Sequence, residues 1–277
     1  MGDLQKILAV MGEARRRLFR VVVVLGPLFG FLVTFRLVAV RVSIGPISVP
    51  LAYPYPDLFG NVSAQVFRAL VATMLPAGVT LLNVGVGDSV LVQMEIAALL
   101  TLILGMPWIV HEVGAFLIPA LRRNERALVM RIGVPATLLF TLGTSLGLLV
   151  ITPLTFRLLF QYVGAMGLAP VLGVQQFVTF ALLYSIAFGI VFELPVFVYA
   201  LTRLGLVRAA AWRKHWRGAI IASLLFGMVI TPDNSGITML LIALPMMALY
   251  LGGAWFATRW ERGRDADRRP PTGVSGA

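Results

Sequence analysis

Residues 188–197 read Phe-Gly-Ile-Val-Phe-Glu-Leu-Pro-Val-Phe, and Glu193 is the only charged residue between Phe177 and Thr202. This stretch decides the fold. It is too long and too apolar for a soluble core helix, because about 20 predominantly apolar residues already span a bilayer. A charge at the bilayer centre costs about 2.5–3.5 kcal/mol on insertion scales and is usually kept for function. Glu193 is therefore a candidate functional or assembly residue. The plainer alternative is a protonated carboxyl that holds neighbouring helices together.

The whole chain agrees with a membrane reading. Hydrophobic residues make up 59% of its 277 positions and charged residues 13%, and the mean hydropathy is +0.91. Soluble domains of this size do not have such a composition. Cysteine is absent, which excludes disulfides, thiolate metal sites and Cys nucleophiles. A formal charge of +11 suggests nucleic acid in a soluble protein. In a membrane protein the informative property is where the positive charges lie.

Apolar spans fall at about 18–35, 89–118, 132–156, 177–202, 218–230 and 237–258. If all six cross from a cytoplasmic N-terminus, nineteen Lys and Arg residues fall inside and four fall outside (Arg36, Arg41, Arg68 and Arg157). This positive-inside excess places both termini in the cytoplasm. Residues 64–82 form a rival span, interrupted by Arg68 and Pro76. Were it to cross, Arg122, Arg123 and Arg126 would move outside, against the charge rule. Residues 44–87 are thus expected to be a structured outer loop, with a helix on the surface or capping the bundle. Pro46, Pro50, Pro54 and Pro56 are expected to stiffen its approach as an extended proline-rich run. Asn61-Val62-Ser63 matches a glycosylation sequon, a pattern common by chance.

The basic N-terminal region leads into a full-length span without an evident cleavage site, which predicts an uncleaved first helix. Residues 1–260 are expected to form one six-helix membrane domain. Residues 261–277 are expected to be a disordered cytoplasmic tail. There is no internal repeat, which argues against a repeat-built transporter. The second span, taken from Asp88 to Leu121, is over-long at about 50 Å; it must tilt, kink at Pro107 and project from the membrane. The fifth lies between Arg217 and Thr231-Pro232-Asp233 and gives only about 20 Å of helix. It either thins the bilayer locally or lets its ends snorkel.

Catalytic patterns do not survive inspection. Gly143-Thr144-Ser145-Leu146-Gly147 matches a nucleophile elbow, but that motif needs a strand-to-helix turn and a histidine base. Here it lies in an apolar helix, where small residues four apart mark close helix packing. His111 and His215 have no company of metal ligands. There is no phosphate-binding or dinucleotide loop. The sequence therefore assigns no catalytic residue, no metal and no cofactor. Two cytoplasmic acids stand out: Glu13 among Arg15, Arg16 and Arg17, and Glu125 in Leu121-Arg122-Arg123-Asn124-Glu125-Arg126. Acids in basic loops commonly just balance their neighbours. Fixed carboxylates can also receive guanidinium forks from a partner.

Several motifs, in order, resemble the TatC subunit family of the twin-arginine translocase. Glu13-Ala14-Arg15-Arg16-Arg17-Leu18 is similar to the family's opening E-L-R-x-R-L. Phe116-Leu117-Ile118-Pro119-Ala120-Leu121 with Asn124-Glu125-Arg126 is similar to its F-I-x-P-A-L…x-E-R loop. Phe192-Glu193-Leu194-Pro195 resembles the F-E-x-P of its fourth helix, and Thr231-Pro232 and Pro245-Met246 the T-P and P-M of its last two. The chain departs from the family pattern at Val10, at His111-Glu112-Val113-Gly114, at Glu95 and near Ile237-Thr238, and its outer loop is longer.

The resemblance implies an all-α polytopic membrane protein. Its six transmembrane helices would form a cup-shaped bundle with both termini cytoplasmic and a structured outer loop after helix 1. It implies a non-enzymatic receptor in the prokaryotic cytoplasmic membrane, at the core of proton-motive-force-driven export of folded proteins. Twin-arginine signal peptides would bind at Glu13 and Glu125, with Arg15, Arg17 and Arg126 beside them. Glu193, Thr231 and Asp233 would meet TatA/TatB-type single-span partners within the bilayer. No nucleic acid is implied. Two other readings follow from the residues alone: a proton-coupled solute transporter using Glu193, and an intramembrane serine protease using Ser145.

Overall fold

The computed structural model describes residues 2–44, 47–117, 123–231 and 236–267. Side chains at 2–4, 6, 7, 9, 41–44, 47–51, 117, 123–130 and 264–267 are not among those described. The residues divide into two compact units: 1–120 with 144–186, and 121–143 with 187–277.

In the first unit, α1 (Gly2–Thr34) leads into a hairpin of β1 (Phe35–Ile44) and β2 (Ile47–Pro56). Helix α2 (Val62–Met74), the short strand β3 (Thr80–Leu82) and α3 (Asp88–Leu117) follow. The chain re-enters this unit near the end of α4 (Arg123–Leu146). It continues through a π-helical turn at Gly147–Ile151 into α5 (Thr152–Ala165), β4 (Val171–Gly173) and α6 (Val174–Phe192). The π turn has a local cause. Pro153 cannot donate to the carbonyl four residues back, and the ladder slips so that Thr152 N–H and Oγ1–H both reach Gly147 O.

The core of this unit is aliphatic and aromatic. Leu70, Met74, Val92, Ile96, Leu99, Phe156, Phe177 and Val178 are buried together. Phe156 stacks on Phe177 at 5.3 Å between ring centroids. These contacts place α2 against the membrane helices, so it caps them rather than lying loose on a surface.

One expectation for the outer segment is corrected, and the discounted sequon finds another role. Pro46 lies outside the described residues, and the rest of the proline-rich run is a paired strand: Pro50, Pro54 and Pro56 lie opposite Arg41, Leu37 and Phe35. All three are even-numbered, so their missing donors fall on the unpaired edge of the ladder, where proline is tolerated. The helical class stands, with this hairpin added to it. Asn61 is not a glycan acceptor, because it is wholly buried. Its Oδ1 accepts Ala64 N–H at 2.9 Å and caps α2. Its amide donates to Val33 O, Leu58 O and Gln93 Oε1 at 2.6, 2.9 and 2.7 Å.

In the second unit, the end of α6 leads to α7 (Leu194–Arg203), α8 (Ala209–Lys214), α9 (Trp216–Ile230) and α10 (Ile237–Asp267). Val198, Ala209 and Ala257 are buried together against Trp212. A Cβ on Gly227 would stand 2.7 Å from Met239 O, so glycine permits the close approach of α9 and α10. Helix α10 runs to Asp267, into the stretch expected as tail from residue 261; residues 268–277 lie outside the described residues.

Among the described residues, five helices are long and apolar enough to cross a membrane: Val10–Thr34, Asp88–Phe116, Arg131–Ala165, Val174–Arg203 and Ile237–Gly263. The fifth expected span is α9, whose 15 residues give about 22 Å of helix, short of a core of about 30 Å.

Candidate functional site

The first site is built on α1 and α3. Glu13 and Arg17 stand one turn apart on α1, the spacing at which side chains meet. Arg17 donates to Glu13 Oε1 from Nε at 3.0 Å and from Nη2 at 2.7 Å. Its Nη1 donates to Glu112 Oε2 on α3 at 3.2 Å. Glu112 is 4% exposed, and a carboxylate so placed needs a cationic partner. Arg17 thus bridges two acids with both arms of its fork. Arg15 lies on the exposed face of α1, and Arg16 Nε donates to Gly12 O at 3.3 Å.

Of the residues singled out in the sequence, the structure brings Glu13 and Arg17 together and leaves Arg15 exposed, with no ion-pair partner among the described residues. Glu125 and Arg126 fall in the first turn of α4, and their side chains lie outside the described residues. Glu112 is the residue that sequence reasoning missed. It enters that reading only as a departure from a family pattern. The available signal was an acid in an apolar helix, which is costly unless paired.

The second site is the break at Glu193, between α6 and α7. Pro195 lacks an N–H, so the Val191 carbonyl loses its ordinary partner and the helix breaks there. Glu193 N–H turns to Ile190 O at 3.1 Å, and Phe197 N–H restarts the ladder on Glu193 O at 2.9 Å. The carboxyl is half-buried, and its buried Oε1 has no hydrogen-bond partner among the described residues. Gly253 of α10 lies against this break; a Cβ there would stand 3.1 Å from Pro195 Cα.

Glu95, two turns into α3, has a partner: Thr179 Oγ1–H is shared between its two oxygens, each at 3.1 Å. Thr231 is buried at the end of α9, its N–H on Gly227 O at 3.0 Å. Asp233 lies outside the described residues.

The Gly143–Gly147 pattern is helical throughout, with no elbow. A Cβ on Gly143 would stand 2.6 Å from Phe188 O, which makes it a packing glycine. His111 stacks on Trp108 at 5.6 Å, and His215 Nδ1 sits 2.8 Å from Ala211 O. The described residues contain no group of three potential metal ligands.

Known proteins give this arrangement a frame. The model of the family described as Sec-independent protein translocase protein (TatC) matches residues 9–245. The Sec-independent protein translocase protein TatC of Cenarchaeum symbiosum is 37% identical over 91% of this chain and 94% of its own length. That of Escherichia coli K12 is 28% identical over 84% of this chain and 87% of its own. The crystal structure of the twin-arginine translocase receptor TatC superposes with a TM-score of 0.70 at 22% identity, covering 90% of this chain and 98% of that one. The fold is shared.

Proposed function

Because the chain belongs to the TatC family of Sec-independent protein translocase proteins, we propose that it is the receptor and core subunit of a twin-arginine export machinery. The observation that carries this reading is the Arg17 guanidinium held jointly by Glu13 and Glu112. A pair of carboxylates that grips one guanidinium has the geometry to grip another. Arginine of a signal peptide would enter by exchange with Arg17, through the same charge-assisted forks. Glu125 and Arg126 are assigned to the same task by their motif.

The partner-contacting role goes to Glu193, Thr231 and Asp233. The Glu193 oxygen without a partner among the described residues supports that choice, because a polar group of an incoming single-span helix of the TatA or TatB type would satisfy it. Transport of folded cargo would draw on the proton motive force. Both termini face the cytoplasm in this reading, supported by the nineteen-to-four distribution of Lys and Arg. The location is a prokaryotic cytoplasmic membrane, and residues 1–260 act as one membrane domain.

A photo-crosslinker placed at the exposed Ala14 tests the docking face. It should capture a twin-arginine peptide and not its twin-lysine counterpart. Equal capture of both, or of neither, contradicts the assignment.

A further inference from the structure

The second unit carries a hollow outside both sites. It has a volume of about 580 Å³ and lies where α8 and the start of α9 meet the last turns of α10. Trp212, Trp216 and Trp255 line it, with Arg213, Arg259 and Arg262. No carboxylate lines it. Glu261 is turned away, with Oε2 accepting Ala209 N–H at 3.1 Å. The three arginines have no ion-pair partner among the described residues.

The hollow is built rather than incidental. Helix α8 is tied down at its first residue and at Trp212. Glu261 holds its first residue. Trp212 Nε1–H donates to Thr202 Oγ1 at 3.0 Å, and Tyr250 Oη–H donates to Trp212 O at 2.8 Å. The α10 side of the hollow has a graded order. Leu251, Trp255 and Arg259 follow one another at four-residue spacing and so share a face. They pass from apolar to aromatic to cationic, about 6 Å per step. Counted from Ile237 along the axis, Trp255 lies at about 27 Å and Arg259 at about 33 Å. The hydrocarbon core is about 30 Å thick, so with Ile237 at one edge Trp255 falls near the other and Arg259 just beyond it. The Arg259 Cζ sits 5.5 Å from the Trp255 ring centroid, which holds the cation at that level. Both Trp216 and Trp255 are well exposed.

We propose that this hollow binds the headgroup of an anionic glycerophospholipid, with its phosphate between the arginines and its upper acyl chain along Trp255 and Leu251. A soluble anion would need the cations but not the apolar lower half. A zwitterionic lipid would need the apolar half but gain little from three unpaired arginines. Basic pockets between membrane helices recognise anionic headgroups by this combination.

The test uses the full chain in nanodiscs of phosphatidylcholine with a tenth of the lipid brominated, either as phosphatidylglycerol or as phosphatidylcholine. Tryptophan emission should be quenched more strongly by the anionic lipid. The triple variant Arg213→Gln/Arg259→Gln/Arg262→Gln should lose that preference, by roughly a hundredfold in relative affinity, while Arg259→Gln alone should lose about fivefold. The single variant decides the matter if the triple fails to fold. Equal quenching by both lipids, or an anionic preference unchanged in Arg259→Gln, overturns the site. Relief of the quenching by inorganic phosphate, beyond that by sodium chloride of equal ionic strength, shows a free-anion site and overturns the lipid assignment.

Discussion

Arg17 on α1 and Glu112 on α3, 95 positions apart in sequence, meet at 3.2 Å, while the other arm of the same guanidinium holds Glu13. One cation therefore closes the contact between two helices and occupies an acidic cradle.

Because Glu112 is buried and Arg17 is its partner, removing the cation is worse than removing the acid. Arg17→Gln strands a buried carboxylate, whereas Glu112→Gln leaves a neutral amide in its place. Thermal unfolding in detergent should rank the midpoints as parent, then Glu112→Gln, then Arg17→Gln. The double variant should recover part of the loss of Arg17→Gln.

Glycine at 227 is demanded by the Met239 carbonyl, whereas a Cβ on Gly218 of the same helix meets nothing within 4 Å. Gly227→Ala should cost about 1–3 kcal/mol through overpacking. Gly218→Ala should be neutral or stabilising by up to about 1 kcal/mol, as alanine is the better helix former. Equal effects of the two would contradict the close approach of α9 and α10.

Asn61 caps α2 while its amide reaches three acceptors. Asn61→Ala loses the cap, at about 0.5–2 kcal/mol, and leaves buried acceptors unpaired, at about 1–3 kcal/mol more. Unfolding at this depth should be visible as faster amide exchange throughout α2. Asn61→Asp keeps the cap acceptor but buries a carboxylate against those acceptor oxygens without a cation, and should cost at least as much as Asn61→Ala.

Asp57 turns the chain from the hairpin to α2. The Gly60 N–H, foremost, and the Phe59 N–H donate to its Oδ1, at 2.8 and 3.0 Å, and hold the carboxyl below the usual carboxylate range. A lowered folded-state value means that the turn is stabilised above the unfolded value of about 3.9. That contribution is lost as pH falls through the lower folded value. The Gly60 amide should stay protected at neutral pH and lose protection in acid, and Asp57→Asn should abolish the pH dependence.

Glu193 offers, at a helix break, an oxygen with no partner among the described residues. Glu193→Gln should leave folding intact and weaken crosslinking to a single-span partner helix. Undiminished crosslinking would remove Glu193 from the proposed partner contact.

The long spans were legible because an uninterrupted apolar run is its own signal. The stretch read at 177–202 is the helix Val174–Arg203, and that at 237–258 is Ile237–Gly263. The hairpin was not legible. Its prolines look like a polyproline run, and only the pairing register reveals that each sits where no donor is needed. Glu13 was legible from its local pattern, since its partner is one helical turn away. Glu112 was not, because its partner lies on another helix, and a pairing between distant positions leaves no local trace in one sequence. The break at Glu193 was half-legible. Pro195 announces it, but the unsatisfied oxygen emerges only from the packing.

The most direct measurement is the affinity of the full chain in detergent for a twin-arginine signal peptide, compared with that for its twin-lysine counterpart. The parent should prefer arginine. Glu13→Gln should weaken twin-arginine binding about ten- to a hundredfold, the worth of a charge-assisted bond, and bring it close to that for lysine. Undiminished and still arginine-selective binding in both Glu13→Gln and Glu125→Ala would contradict a docking site built on these acids.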